Sequence, residues 1–381
     1  MEEGQTPRVL NKEVFLLLAI AFGAACVFLF TRDMAAREQQ MEARIAGIWY
    51  KQGNLQISSG KTEEAIQSFR RATSGARDNR EYALALADAL AVGNHSAEAQ
   101  QLFLRLRESE PENAEINTYL ARLASQRGEI DDAVHYYQNA LYGHWAGKQV
   151  DEQRRQLRIE LIRLLLAHQQ RDLANGELLI LESDLPDSVA LHIETAKLFQ
   201  EAGDLPHALS NYVAAVRLDS HDVEALTGAG EISFQAGDYT NAEHYLNASL
   251  EANPTSEQTR QLLALTRMVL EEDPLAPRLT VEERQSRLLQ DFDRSLERLE
   301  SCLGQTANGQ ATEAMQSLQT QALAMEPAIR RDDHPPDLDT VRSALGLILK
   351  LQKVASDSCG KPSPSNQALL LIGLEHKDAV Q

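Results

Sequence analysis

A spacing of 34 residues recurs through the first two thirds of this chain. Gly203 and Gly237 lie 34 residues apart, and Gly60 and Gly128 lie 68 apart, twice that interval. A constant period in this range is the signature of stacked repeats, in which each unit packs on its sequence neighbours. Folds of this kind mostly bind other molecules, so the spacing favours binding over catalysis.

The period divides residues 46–256 into six units, each with two apolar helical stretches. The units are 46–79, 80–113, 114–147, 155–188, 189–222 and 223–256. A small residue recurs at one slot of each second stretch: Ala65, Ala99, Ala133, Ala174, Ala208 and Ala242. A bulky residue follows four positions later: Phe69, Phe103, Tyr137, Leu178, Tyr212 and Leu246. That offset places both on one face of a helix, as close packing of two helices requires.

These positions resemble the tetratricopeptide repeat, whose pattern sets Trp, Gly, Ala and Phe at fixed places in 34 residues. The first unit carries Trp49, Gly53, Ala65 and Phe69, whereas the fourth has Gln169 where glycine is usual. The resemblance implies an all-α fold, an α-solenoid of about six helix-turn-helix repeats that binds proteins. Seven extra residues at 148–154 precede the fourth unit. They predict either a tolerated surface loop or, alternatively, a local change in superhelix pitch or a partner contact.

One uncharged apolar run, Val14 to Phe30, follows a short segment, 1–13. As a helix it spans roughly 26 Å, near the short end for a bilayer crossing. We expect an uncleaved membrane helix; a cleaved signal peptide and lipid attachment at Cys26 are the alternatives. Residues 31–45 predict a helical connector into the first repeat.

Basic residues are nearly balanced on the two sides of this run, so they do not fix its orientation. Cys302 and Cys359 are the only cysteines outside the run. A single pair suits a disulfide in an oxidising compartment. We therefore favour a cytoplasmic N-terminus with an exported, periplasmic body, and two unpaired thiols with a cytoplasmic body are the alternative.

The rest of the chain predicts more helices. Residues 257–272 have the character of a capping helix, and 280–381 predict a helical module packed on the end of the array. Within it, Thr280 and Glu283 form a capping-box pattern at the start of a helix over 280–303. Further helical stretches are expected at 310–326, 337–355 and 367–374.

The resemblance also implies a binding groove lined by the first helix of each unit. The ninth residue of a unit usually points into it, and this slot holds Asn54, Asp88, Arg122, Arg163, Lys197 and Glu231. Three consecutive cations would suit an acidic peptide or a free C-terminal carboxylate. Ion pairing with Glu160 and Glu194 would instead neutralise them. Of the family's carboxylate-clamp positions, Asn54 matches one, and Tyr50, Ala85, Glu115 and Tyr119 do not match the others.

No catalytic or cofactor motif stands out. The chain lacks a GxxxxGK phosphate loop, a dinucleotide glycine fingerprint, CxxC and HExxH. The set Cys302, His334, Cys359 and His376 matches no standard zinc spacing. We therefore expect that the chain binds no metal or cofactor and that it is not an enzyme. A net charge of −19 repels phosphate backbones and argues against nucleic-acid partners.

These features together predict a bacterial-type, single-pass membrane scaffold that uses its repeats for protein–protein interaction. Assembly or tethering of envelope complexes is the expected task. A regulatory adaptor facing the cytoplasm is the alternative, and an enzyme with a site in 280–381 is a remote one.

Overall fold

The computed structural model describes the backbone of residues 8–145, 147–304, 310–331 and 335–376. Within these ranges it describes the side chains from Phe15 onward, except those of residues 310–312. Seventeen α-helices and no strand occur in these ranges, which confirms the predicted all-α fold of tetratricopeptide-like helix pairs. The chain divides within one helix, between Leu164 and Leu165, into an N-terminal body and a C-terminal body.

The helices of the N-terminal body are α1 (Arg8–Ser58), α2 (Thr62–Gly75), α3 (Arg80–Val92), α4 (Ser96–Ser109), α5 (Ala114–Arg127), α6 (Ile130–Tyr142) and α7 (Val150–Ala167), which runs into the second body. The C-terminal body continues with α8 (Arg171–Ser183), α9 (Val189–Ala202), α10 (Leu205–Leu218), α11 (Val223–Gln235), α12 (Tyr239–Ala252), α13 (Glu257–Glu272), α14 (Val281–Leu303), α15 (Gln310–Ile329), α16 (Leu338–Cys359) and α17 (Pro364–Glu375).

Packing follows the alanine slots of the second helices. All six of these alanines, from Ala65 to Ala242, are fully buried, and the six bulky residues four positions later are buried as well. A methyl group at the contact lets the paired helix come close, and the larger side chain then fills the space beside it. Gly53 shows how tight this fit is, because a Cβ there would come within 2.5 Å of the Phe69 ring.

The turn between the paired helices places one residue in the left-handed region in all six cases. The φ angles are 74° at Gly60, 60° at Asn94, 75° at Gly128, 59° at Gln169, 90° at Gly203 and 81° at Gly237. Glycine adopts this conformation without steric cost and asparagine at a small one. Gln169 is thus the residue least suited to its slot.

We expect Gln169→Gly to stabilise the protein by about 0.5 to 1 kcal/mol. A residue other than glycine in the left-handed backbone conformation costs about 1–2 kcal/mol, and the larger loss of backbone entropy when glycine folds offsets part of this gain. Urea unfolding of the two proteins measures the difference. Gly203→Gln is the matched reverse change and should destabilise by a similar amount. Equal unfolding midpoints for Gln169→Gly and the parent chain would contradict the strain argument.

The C-terminal helices share one apolar core. Buried residues of α13, α14, α15, α16 and α17 pack together with Tyr239 of α12. The capping box at Thr280 is present, since its hydroxyl accepts from the Glu283 backbone and the Glu283 carboxylate accepts from the Thr280 backbone. Three stretches run longer than predicted: α15 continues to Ile329, α16 continues to Cys359, and α17 begins at Pro364 because Ser363 caps it.

Among the described residues, one helix is long and apolar enough to cross a membrane. This helix is α1, over the span from Phe15 to Ser58. Its most apolar stretch is not buried against any other part of the described chain. A signal sequence near an N-terminus has the same properties. The helix runs without a break into the first helix of the repeats, as the residues at 31–45 predicted.

Candidate functional site

Three first helices of the N-terminal body, α3, α5 and α7, place polar side chains close together. The central one, α5, starts at a cap in which the Asn113 side chain accepts a hydrogen bond from the Ile116 backbone, and it ends at left-handed Gly128. Its residues Tyr119 and Arg122 reach side chains of both neighbouring helices, Asp88 on α3 and Glu160 on α7.

Arg122 and Glu160 form a bidentate ion pair. Nε donates to Oε2 at 2.9 Å and Nη2 donates to Oε1 at 2.8 Å, while the Tyr137 hydroxyl donates to Oε2 at 3.4 Å. The hydrogen bonds to Glu160 raise the pKa of the Arg122 guanidinium above its usual value. Fork-to-fork pairing of this kind fixes the orientation of the guanidinium plane. The third nitrogen, Nη1, makes neither of these two bonds.

Tyr119 and Asp88 form the second polar contact. Burial raises the pKa of Asp88, and the hydrogen bond from Tyr119 and the charge of Arg122 oppose that shift. Burial, together with the carboxylates of Asp88 and Glu115, raises the pKa of Tyr119 to about 12. Tyr119 therefore stays a neutral donor at physiological pH, and its ring stacks on Phe103 with centroids 4.8 Å apart.

The seven-residue insertion contributes to the same region. Part of it extends α7, which begins at Val150, and the preceding loop carries Trp145, whose indole donates to the Ala140 carbonyl at 2.8 Å. The backbone of His144 pairs with the start of α5, donating to the Glu112 carbonyl at 2.7 Å. Gly143 permits this approach, because a Cβ there would come within 2.6 Å of the same carbonyl oxygen.

Two adjoining clefts lie against this loop. One, of about 260 Å³, is lined by Glu115, Thr118, Tyr119, Arg122, Trp145, Gln153, Gln156 and Leu157. The other, of about 410 Å³, shares Glu115, Trp145 and Gln153 and adds Arg80, Glu110, Asn113 and His144. We call the two together the Trp145 cleft. Its mix of aromatic rings, carboxylates and two guanidinium groups suits an extended peptide better than an apolar small molecule.

The predicted groove residues differ in their surroundings. Asn54 is exposed on α1, and Arg163 is exposed on α7. Arg122 is ion-paired with Glu160 and Lys197 with Glu224, so both cations are neutralised within the chain. Glu160 was an expected partner, whereas Glu224 was not. Glu231, on α11, is half-buried, and burial raises its pKa. Sequence reasoning missed the Trp145 cleft, although the LYGHWAG stretch before the insertion contains its aromatic residue.

Cys302 and Cys359 are joined by a disulfide, with Cα atoms 5.8 Å apart. These sulfur atoms are therefore not thiolate ligands, and His334 lies outside the described residues. A different trio, Asp273, Glu375 and His376, brings possible ligand atoms within 4.8 Å of one another. His376 Nε2 lies 3.1 Å from both Asp273 carboxylate oxygens, so a direct hydrogen-bonded pair accounts for this closeness.

Comparison with known families agrees with the helix pairs. Sequence models described as tetratricopeptide repeat match residues 56–123 and 193–257. These two stretches are therefore identified as tetratricopeptide repeats. This confirms the family expected from the alanine, aromatic and glycine slots. No curated protein matches the chain.

Solved structures of several other proteins align with parts of the chain. YrrB, a protein of this family with an unusual peptide-binding site, is 16% identical, and the alignment covers 51% of this chain and 97% of YrrB at a TM-score of 0.40. PilF of Pseudomonas aeruginosa is 14% identical over 58% of this chain and 98% of its own, at a TM-score of 0.40. The type IV pilus biogenesis factor PilW is 20% identical over 57% and 98%, at 0.39.

Proposed function

We propose that this tetratricopeptide repeat protein is a membrane-anchored scaffold that captures a protein partner through a peptide bound in the Trp145 cleft. The observation that carries the proposal is the cleft itself, in which aromatic rings, a guanidinium and hydrogen-bonding side chains from α5, α7 and the loop between α6 and α7 converge. Mixed surfaces of this composition are typical of protein-binding hot spots, where aromatic residues and arginine dominate.

The preferred ligand is an acidic segment or a free C-terminal carboxylate. Arg122 binds Glu160 through Nε and Nη2, which leaves Nη1 to face a ligand carboxylate. Tyr119 and the cleft-lining glutamines supply further hydrogen-bonding groups. Asn54, Arg163 and Lys197 stay predictions as further groove residues.

The anchor in this proposal is the segment from Val14 to Phe30. Its support is the exposed apolar surface of α1 and the unbroken helix that leads from it into the first repeat. We place the body on the exported side, because disulfides such as Cys302–Cys359 persist in oxidising compartments. A scaffold held there would tether or assemble envelope complexes. The second candidate is a cytoplasm-facing adaptor on the same anchor.

Topology reporters fused after Gln381 separate the two orientations. Alkaline phosphatase is active only outside the cytoplasm and green fluorescent protein fluoresces best inside it. The exported arrangement predicts phosphatase activity without fluorescence. The opposite result would replace it with the cytoplasm-facing adaptor, and it would leave the peptide-binding proposal standing.

Peptide display tests the cleft. The probes are two random libraries panned on the detergent-solubilised chain, one with free C-terminal carboxylates and one with amidated ends. We expect acidic sequences to be enriched in both, or in the first alone if the terminal carboxylate is the ligand. The double variant Arg122→Gln/Glu160→Gln keeps a neutral hydrogen-bonded pair and should bind the selected peptides about ten-fold more weakly, since a charge-assisted hydrogen bond contributes about 1.5–3 kcal/mol.

A matched ion pair away from the cleft controls for general loss of charge. Arg267 and Glu243, 2.9 Å apart in the C-terminal body, have exposures similar to those of Arg122 and Glu160. Arg267→Gln/Glu243→Gln should bind the selected peptides as the parent does. Equal binding by the parent and both double variants would show that Arg122 does not contact the ligand.

A further inference from the structure

The helix α1 has two different faces where it forms the start of the repeats. One face packs on α2 through buried Ala46 and Gly53. The face on the opposite side exposes large apolar side chains: Met41, Ile45, Ile48 and Leu55 are 60%, 48%, 65% and 68% exposed. A terminal repeat ordinarily ends in a polar outer face. This apolar face is therefore suited to a partner.

The exposed side chains follow a seven-residue register. Met34, Met41, Ile48 and Leu55 are spaced by seven, and Ile45 and Gln52 lie four residues after Met41 and Ile48. Side chains at alternating intervals of four and three form the a and d seam of a left-handed coiled coil, with Ile45 and Gln52 at a positions. A polar residue such as Gln52 at an a position is a common device for fixing the register of a dimer.

We propose that this seam is the contact between two copies of the chain, which form a parallel coiled coil along residues 34–55. The parallel arrangement rests on the proposed membrane anchor. Because α1 is one unbroken helix from the apolar segment to Ser58, two anchored copies point the same way and carry each seam residue at the same height above the bilayer. Identical residues then face each other without any shift in register.

The charges along the seam fit the same arrangement. In this register Arg37 lies at a g position and Glu38 lies at the a position that follows it. Glu42 lies at the next e position, five residues after Arg37. A parallel dimer brings a g residue beside the partner helix's following a and e residues, so each Arg37 can neutralise its partner's Glu38 or Glu42. In the single chain Arg37 forms an exposed ion pair with Asp33, at 2.8 Å, and such surface pairs exchange at little cost.

The register also continues toward the membrane. Ala24 and Thr31 take the preceding a positions. Small residues at the contact allow two helices to approach closely within a bilayer. The seam and the anchor therefore form one continuous surface along α1.

Two features strengthen a seam that is short for an isolated coiled coil. From Ala46 onward the helix is already ordered by its packing on α2, so dimerisation does not have to fold that part of it. Anchoring in one bilayer also raises the effective concentration of the second copy. A partner of different sequence would have to reproduce the seam spacing, whereas a second copy supplies it automatically.

Site-directed disulfide formation tests the proposal in the full chain reconstituted into phosphatidylcholine and phosphatidylglycerol vesicles. Cys26 is first replaced by serine, since it is the one free cysteine of the described residues. Ile48→Cys adds a thiol on the seam, and Ala43→Cys adds an exposed thiol away from the seam, about 7.5 Å nearer the apolar segment along the helix. Under mild copper–phenanthroline oxidation we expect mostly covalent dimer for Ile48→Cys and at most a few per cent for Ala43→Cys.

Three results would overturn the proposal: monomer for both variants, equal dimer for both, or an Ile48→Cys thiol that resists a water-soluble maleimide without forming dimer. The last result would mean that lipid covers the face. Resistance of the chain to alkaline extraction from the vesicles checks the anchor separately, and peptide binding by the cleft does not enter the measurement. Failure of the seam is therefore distinguishable from failure of the proposed function.

A charge on the seam provides the second measurement. Ile48→Asp should abolish the cross-link formed by a Leu55→Cys variant, because it replaces an apolar contact in the middle of the seam with two carboxylates, whereas Glu38 lies near the end of the seam beside Arg37. Its thermal unfolding should match the parent's, since the Ile48 side chain projects away from α2 and lies outside the core. Undiminished cross-linking of Leu55→Cys would contradict the seam.

Discussion

Replacing Asp291 with asparagine should stabilise the C-terminal body at pH 9 by about 2 to 4 kcal/mol, because it removes a buried charge that has little compensation. Asp291, on α14, is 1% exposed, and its Oδ2 atom has no hydrogen-bond partner among the described residues. The nearest cation, Arg294 Nη1, lies 4.0 Å from Oδ1 and is shared with Glu272.

The effect depends on pH in a defined direction. Burial, with the charges of Glu272 and Asp273, raises the pKa of Asp291 to about 8, although Arg294 and Arg287 oppose the shift. A carboxyl group with a raised pKa favours the folded state in its protonated form. Its contribution is complete below about pH 4, the ordinary carboxyl pKa, and is lost as pH rises toward 8.

Urea unfolding of both proteins between pH 4 and pH 9 measures this. The difference in the free energy of unfolding should be near zero at pH 4, should grow through neutral pH, and should level off above pH 8. His376 titrates in both proteins, so its contribution largely cancels. Asp293→Asn, an exposed acid two residues away on the same helix, should show no such growth. If the free energies of unfolding of Asp291→Asn and the parent change with pH in parallel, the argument that Asp291 carries a buried, uncompensated charge is wrong.

Removing the Cys302–Cys359 disulfide should destabilise the C-terminal body by about 4 kcal/mol on the chain-entropy model. The bridge links the end of α14 to the end of α16 across a sequence separation of 57 residues. Without it, the unfolded chain regains the freedom of that long loop, and α14 and α16 are held by their apolar core and by the hydrogen bonds of Gln352 with Ser295 and Arg298.

Urea unfolding with and without reductant is the measurement. Reduction should lower the urea concentration at the midpoint of unfolding of the parent chain. The midpoint of Cys302→Ala/Cys359→Ala should equal that of the reduced parent and should not change when reductant is added. Cys26→Ser is the control, since Cys26 lies in the apolar segment and takes no part in the bridge. An unchanged midpoint on reduction would show that the bridge adds no stability.

Much of the fold follows from local chemistry that can be read in the sequence. The left-handed turns at Gly128 and Gly203, and the capping box at Thr280, depend on a few neighbouring residues, so their positions were predictable. The prediction for α16 stopped four residues short at 355, although Gly360, the C-cap with φ 95°, directly follows the true end at Cys359 and is a stop signal that the sequence offers.

The candidate site was predictable only in part. The fixed slot in each repeat located Arg122 and suggested Glu160 as its partner. It did not locate Trp145, because the position of a loop residue depends on how the chain returns to α5 through the His144 contact. Nor did it show that Lys197 pairs with Glu224, since several acids lie within reach of a lysine side chain.

The sequence by itself determined the repeat, because a 34-residue period of alanine, aromatic and glycine slots permits one way of pairing helices. It also determined the heptad spacing along α1. Only the tertiary structure decided which of these patterns are buried and which remain exposed. The slots at Ala65 and Phe69 close on a neighbouring helix, whereas Ile48 and Leu55 face outward. Periodicity assigns residues to a helix face, and only packing shows whether the same chain covers that face.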